Sequence, residues 1–163
     1  TNIRVAGDEF THDIEEYMRR QHNILIGERT AEQIKIAVGS ALTELVNPPE
    51  DYAVHGRDLM TGIPKEIVVT YSEIAGALDK SISKIEESIH SALENTPPEL
   101  SADIFKTGIY LAGGGAQLRG LDKRISLKTK LPVHVADDPL HAVAKGTAIA
   151  LKNIDRFPFL MRN

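Results

Sequence analysis

Apolar positions along this chain change their spacing several times, and each change predicts a new element. Ile3, Val5 and the small Ala6 make a short extended start that Gly7-Asp8 breaks. Phe10, Ile14, Tyr17 and Met18 then recur at helical spacing with charged residues between them. Residues 23–27 read as a loop. Thr30-Ala31-Glu32-Gln33 matches the Ser/Thr-x-x-Glu/Gln capping box, which predicts a helix from Thr30 towards Val38 that buries Ile34 and Val38. Asn47-Pro48-Pro49-Glu50-Asp51 is a breaker cluster. Beyond it, residues 52–57 and 65–71 predict two strands joined by a hairpin loop that contains Gly62 and Pro64.

Ser72 is placed to cap the strongest helix. Ile74, Leu78, Ile82, Ile85, Ile89 and Leu93 form one apolar stripe down its face. Thr96-Pro97-Pro98 ends it, because proline lacks the backbone donor and disfavours helix in the residue before it. A short helical turn near residues 100–105 leads into a strand over 108–112, then Gly113-Gly114-Gly115 and a helix through Leu118, Leu121 and Ile125. Residues 132–136 predict another strand. Asp137 or Asp138 is placed to cap a last helix with Pro139 in its first turn, carrying Leu140, Val143, Ala144, Thr147 and Leu151. The class is α/β with two parts: residues 9–78 as a helix–helix–hairpin module, and residues 1–8 with 79–163 as a layered α/β unit.

Composition narrows the function classes. The 163 residues carry 19 Lys plus Arg against 23 Asp plus Glu, a formal charge of −4. A mildly acidic chain lacks the positive field that nucleic acid binding needs, so no nucleic acid partner is expected. With no Cys there is no disulfide, thiolate metal site or cysteine nucleophile. No apolar run approaches the ~18 residues of a membrane span, and the start has no signal-peptide pattern. The chain opens on Thr1 and an extended segment rather than Met, which predicts a piece of a larger fold.

The strand–Gly113-Gly114-Gly115–helix junction is the most chemical feature. Glycines there let a ligand approach the backbone, and the following helix start offers unpaired N–H groups. A tight turn that needs positive φ explains the same residues. The order strand, Gly113-x-Gly115, helix, strand, Asp137 also imitates a dinucleotide fingerprint. Leu118, however, stands where a small residue would let helix and strand pack closely. Glu32 and Lys35 lie three apart on one helix face, the spacing either of a solvated ion pair or of a pair gripping a nucleoside. The six histidines are scattered without zinc-ligand spacing, so no metal site and no catalytic residue is assigned.

Several segments occur in a telling order. They are Ile3-Arg4-Val5-Ala6-Gly7-Asp8, the run from Ile26 through Thr30 to Lys35, and the run from Gly56 through Met60 to Pro64. Thr96-Pro97-Pro98-Glu99-Leu100, Leu111-Ala112-Gly113-Gly114-Gly115 and Asp138-Pro139-Leu140 follow. This ordered set resembles the MreB family, the bacterial actin homologues that determine rod shape, over nearly the whole chain. The resemblance implies the second half of an actin-like (ribonuclease H-like) ATPase: subdomain IIA, with the smaller IIB inserted as residues 9–78. It implies ATP in a cleft between two halves, with Glu32 and Lys35 on the nucleoside. Gly113, Gly114, Gly115, Ala116 and Gln117 would lie on the adenine and ribose side. Ala112 replaces a commoner Thr, and Gln117 an apolar residue. The implied partners are further copies of the chain in filaments, rod-complex membrane proteins, and the inner membrane through the other half. The implied location is cytoplasmic and membrane-associated. A metabolic kinase of the same superfamily is the alternative.

In that family the phosphate loops, the catalytic acid and the magnesium surroundings precede the segment matched here. The 163 residues alone are therefore expected to bind ATP weakly, on the order of millimolar or about −4 kcal/mol, and not to hydrolyse it. Chemical-shift perturbation by ATP should fall on Glu32, Lys35 and residues 113–117, with a similar response to AMP. Turnover by the purified chain, abolished by a substitution within it, would contradict this.

Overall fold

The computed structural model describes residues 7–152. The extended start expected at Ile3 to Ala6 and the tail beyond Lys152 lie outside them. Helix α1 (Gly7–His22) buries Phe10, Thr11, Ile14 and Met18 along one face. Helix α2 (Glu28–Val38) turns Ala31, Ile34 and Val38 inward. Between them runs β1 (Ile24–Leu25), which pairs antiparallel with β2 (Tyr52–Asp58). β2 pairs in turn with β3 (Pro64–Val69), from Tyr52 opposite Val69 to Arg57 opposite Pro64, giving the order β1-β2-β3. Gly56 allows β1 this close, since a Cβ there would lie 2.6 Å from the Leu25 carbonyl oxygen.

Helix α3 (Tyr71–Glu94) covers the core with its apolar stripe. Ile74, Leu78 and Ile82 are fully buried, while Ile85 and Ile89 pack partly exposed against the same cluster. Helix α4 (Pro98–Thr107) leads to β4 (Ile109–Leu111), a 3-10 turn over Gly114–Gln117 and helix α5 (Leu121–Thr129). β5 (Val133–Val135) pairs parallel to β4, with Tyr110 opposite His134, and α6 (Ala142–Lys152) follows. Leu118, Leu121 and Ile125 join the cluster formed by Phe10, Ile14, Ile34 and Ile74. The two stretches of chain thus share one apolar core. Among the described residues no helix is long and apolar enough to cross a membrane.

Six local expectations are corrected. Helix α2 starts at Glu28 with Gly27 at its N-cap, whose carbonyl accepts from the Thr30 and Ala31 amides. Thr30 therefore lies inside the first turn and caps nothing. The capping box forms at α3 instead, where Thr70 Oγ1 accepts from the Glu73 amide at 3.2 Å and Glu73 Oε2 accepts from the Thr70 amide at 2.9 Å. Thr70 rather than Ser72 caps α3, and the strand stops at Val69. The 23–27 loop contains a strand, entered through Asn23 at φ 52°, a left-handed conformation that Asn tolerates. The turn expected near residues 100–105 is a full helix. The last helix begins at Ala142, beyond Pro139 and Leu140 rather than at them; Asp138 accepts from the His141 amide, from His141 Nδ1 at 2.9 Å and from Lys145 Nζ at 2.6 Å.

Arg124 clamps α5 onto α3. Its Nε donates to Glu86 Oε1 at 2.7 Å, its Nη2 to Ser83 Oγ at 3.3 Å, and its Nη1 lies 2.8 Å from Asp79 Oδ1. The same Nη1 donates to the Ala41 carbonyl at 3.2 Å. Glu86 is 8% exposed, so this pairing removes the penalty of a lone buried carboxylate.

The hairpin loop is pinned by Asp58. Its Oδ1 accepts from the Thr61 and Met60 amides, each at 2.9 Å, and its Oδ2 from Lys65 Nζ at 3.3 Å. These bonds, the Thr61 and Met60 amides first, hold its carboxyl down to about 2. The folded value lies below the ordinary one of about 3.9. The charged carboxylate therefore stabilises the loop in full above about pH 4, and this contribution is lost as pH falls through about 2. The Met60 and Thr61 amide shifts should titrate with a midpoint near 2, and Asp58→Asn should abolish that titration and speed their hydrogen exchange. A midpoint near 4 would show that the bonds do not hold in solution.

Candidate functional site

α2 carries its apolar face into the core and leaves Glu32 and Lys35 on the flank nearest α1. The expected pair forms, with Lys35 Nζ 2.6 Å from Glu32 Oε2. It is not freely solvated: 16% of the Lys35 side chain is exposed, against 45% of that of Glu32. Lys35 Nζ also donates to the Gly7 carbonyl at 3.0 Å and to Thr11 Oγ1 at 3.1 Å. The Thr11 hydroxyl lies 2.9 Å from both the Gly7 carbonyl oxygen and Glu32 Oε2, and its one proton serves either. The Lys35 hydrogen bond, helped by that of Thr11 and opposed by burial, holds the Glu32 carboxyl below its usual range. The site therefore presents a fixed negative acceptor at neutral pH.

The glycine junction divides its work between residues. Gly113 stands at φ 87°, a conformation other residues rarely adopt, and its amide donates to the Pro139 carbonyl at 2.6 Å. The tight-turn explanation thus belongs to Gly113. Gly114 and Gly115 have no positive φ, so their backbone does not require glycine. A Cβ would meet Leu140 Cδ2 at 3.4 Å from Gly114, and Phe10 Cε2 at 3.9 Å from Gly115. Ala116 is 7% exposed.

A cavity of about 440 Å³ opens between these two segments. Glu32 and Lys35 line it from α2, and Gly114, Gly115 and Gln117 face it from the junction. Five of the seven residues expected from sequence are so brought together across some eighty positions of chain. Gly113 and Ala116 do not line it and instead shape the turn behind it. The volume falls in the range of about 300–1,000 Å³ usual for small-molecule sites. Sequence reasoning missed Thr11 and Gly7, which fix the ion pair, and Arg119 and Leu140, which complete the walls. No local signal marks the first two, which reach the pair across 24 and 28 positions of chain through tertiary packing. Among the described residues no cluster of three or more His, Asp or Glu is placed to hold a metal.

Comparison with known proteins gives this geometry a family. The family model for MreB/Mbl protein matches residues 1–158. The cell shape-determining protein Mbl of Bacillus cereus is 45% identical over 158 residues, which cover 97% of this chain and 47% of that protein. The cell shape-determining protein MreB of Escherichia coli K12 is 42% identical over 155 residues, 95% of this chain and 44% of that protein. The crystal structure of MreB5 of Spiroplasma citri bound to AMPPNP superimposes with a TM-score of 0.88 at 41% identity, covering 94% of this chain and 46% of the other. The chain thus spans about half the length of the relatives it matches. These matches give no support to the metabolic-kinase alternative. The α/β fold is that of actin-like ATPases. On a family match spanning nearly every residue, the chain belongs to the MreB/Mbl family.

Proposed function

We propose that this chain forms the nucleoside-holding half of an ATP cleft in an actin-like cytoskeletal ATPase that assembles into filaments and takes part in determining rod shape. The observation that carries the reading is the cavity itself, which sets a charged Glu32 acceptor opposite a wall of Gly114, Gly115 and Gln117. The similar Spiroplasma protein was crystallised with an ATP analogue. Ribose hydroxyls are the natural donors for the Glu32 carboxylate. Lys35 has three ammonium protons and three protein acceptors, so its role is to hold Glu32 in place. The glycine wall admits the flat face of a base. ATP supplies the reacting phosphates; in this reading the remainder of the full-length protein holds them and their magnesium, so the 163 residues contribute binding and no catalytic group.

In the same reading residues 9–78 are subdomain IIB, with filament contacts, and residues 1–8 and 79–163 are IIA. Further copies of the chain are its first partners. Rod-complex membrane proteins and the inner membrane are reached through the full-length protein, which is cytoplasmic and membrane-associated.

Glu32→Ala in the full-length protein should weaken ATP by about 1–3 kcal/mol, the loss of a charge-assisted hydrogen bond. Folding stability should fall by about 1–2 kcal/mol, because the partly buried Lys35 ammonium loses one of its three acceptors, while the cavity admits water in its place. Calorimetry and ATP-dependent pelleting should fall together, and unchanged affinity would return Glu32 to a purely structural pairing.

The glycines provide an independent check. Gly114→Val, on ordinary backbone, should abolish nucleotide binding while the melting temperature holds. Gly113→Ala should do the reverse, costing about 1–3 kcal/mol of stability through its positive φ, with open space around the new Cβ. Native affinity in a folded Gly114→Val protein would remove the glycine wall from the site.

A further inference from the structure

The two walls of the cavity come from distant stretches of chain, and something must set the gap between them. Helix α2 ends at Val38, and its last carbonyls have no partners within the helix. The Lys35 carbonyl accepts from the Gly39 amide at 2.9 Å. The Ile36 carbonyl accepts from Arg119 Nη1 at 3.0 Å, and the same nitrogen reaches the Gly39 carbonyl at 3.3 Å. The main chain of Arg119 returns the grip. Its carbonyl accepts from the Ala41 amide at 2.8 Å and lies 3.4 Å from Ser40 Oγ, and residues 40 and 119 form a parallel bridge. A cation at a helix C-terminus also meets the negative end of the helix dipole. Arg119 follows Gln117 by two residues, and its neighbour Leu118 is seated in the core.

We propose that Arg119 is the positioning residue of this cavity: by tying the end of α2 to the glycine segment it fixes the separation of Glu32 from Gly114 and Gly115, and so sets affinity for the nucleoside part of the ligand. The inference rests on the nucleotide reading above. Arg119 also lines the cavity, but the bonds it makes there are to α2 main-chain carbonyls, so an effect exerted through them is the same whatever phosphates the ligand carries. Because one nitrogen makes both side-chain bonds, the ammonium of a lysine, one bond shorter, replaces them in part. The apolar seat of Leu118 is independent of the guanidinium, so the fold outlasts its removal.

The test compares the native full-length protein with Arg119→Met and Arg119→Lys, measuring affinity for adenosine, AMP, ADP and ATP alongside hydrogen exchange at the Ala41 amide. Arg119→Met should weaken all four ligands equally, by about tenfold, and accelerate Ala41 exchange. Arg119→Lys should recover part of both. A loss that grows with the number of phosphates would make Arg119 a direct phosphate contact and overturn the proposal. Native affinity in Arg119→Met would overturn it too, as would a folded Arg119→Lys as weak as the methionine variant. If the native protein binds none of the four, the nucleotide reading itself fails. The tie is then still judged by Ala41 exchange, and unchanged exchange in Arg119→Met refutes it.

Discussion

A lysine ammonium withdrawn from water must find an acceptor for each of its protons, and Lys35 meets that demand by binding two helices together. Its three partners are the Gly7 carbonyl and Thr11 hydroxyl of α1 and the Glu32 carboxylate of its own helix. Burying the stem of Lys35 packs α1 against α2, and satisfying its head fixes the carboxylate that faces the cavity. The polar site and the apolar core are therefore two sides of one packing arrangement. Phe10 shows the same economy, since it is buried beside Ile14 and also forms part of the cavity floor.

Around that junction the fold distributes its polar contacts at helix ends. Arg119 serves the C-terminus of α2, the Thr70–Glu73 pair the N-terminus of α3, and Arg124 the face between α3 and α5. The guanidinium of Arg124 meets opposing influences. Burial disfavours its charge, while the bonds to Glu86 and Asp79 more than offset that and raise its pKa. Both arginines converge on residues 36–41, so the connection leaving α2 is held from the side of the later α/β segment.

Local periodicity made much of this legible. The β2–β3 hairpin, the α3 stripe and the β4–glycine–helix–β5 succession all follow from spacing and turn residues. β1 did not, because two residues carry no period and become a strand only by pairing with Arg57 and Asp58. The capping box was read at Thr30 because the pattern alone cannot say where a chain turns. Gly27 already supplies the extended N-cap there, while Thr70-Tyr71-Ser72-Glu73 satisfies the same pattern with the right backbone. Within the site, Glu32 and Lys35 were visible as an i, i+3 pair. Their partial burial was not, since Gly7 and Thr11 reach them only through tertiary packing. Likewise the three glycines looked equivalent until the backbone gave the strained conformation to Gly113 and left ordinary ones to its neighbours.

Helix α3 has a mechanical consequence. Its 24 residues make a rod about 36 Å long. One end is locked by the Thr70–Glu73 box, and its middle is gripped by Arg124 at Asp79, Ser83 and Glu86. The last two turns carry only partly buried Ile89 and Leu93. A rod fixed in this way is held from its first turn to Glu86, and its last eight residues, about 12 Å of helix, project beyond the grip. The Thr96-Pro97-Pro98 corner, where α4 begins, therefore hangs on the least buried part of the rod.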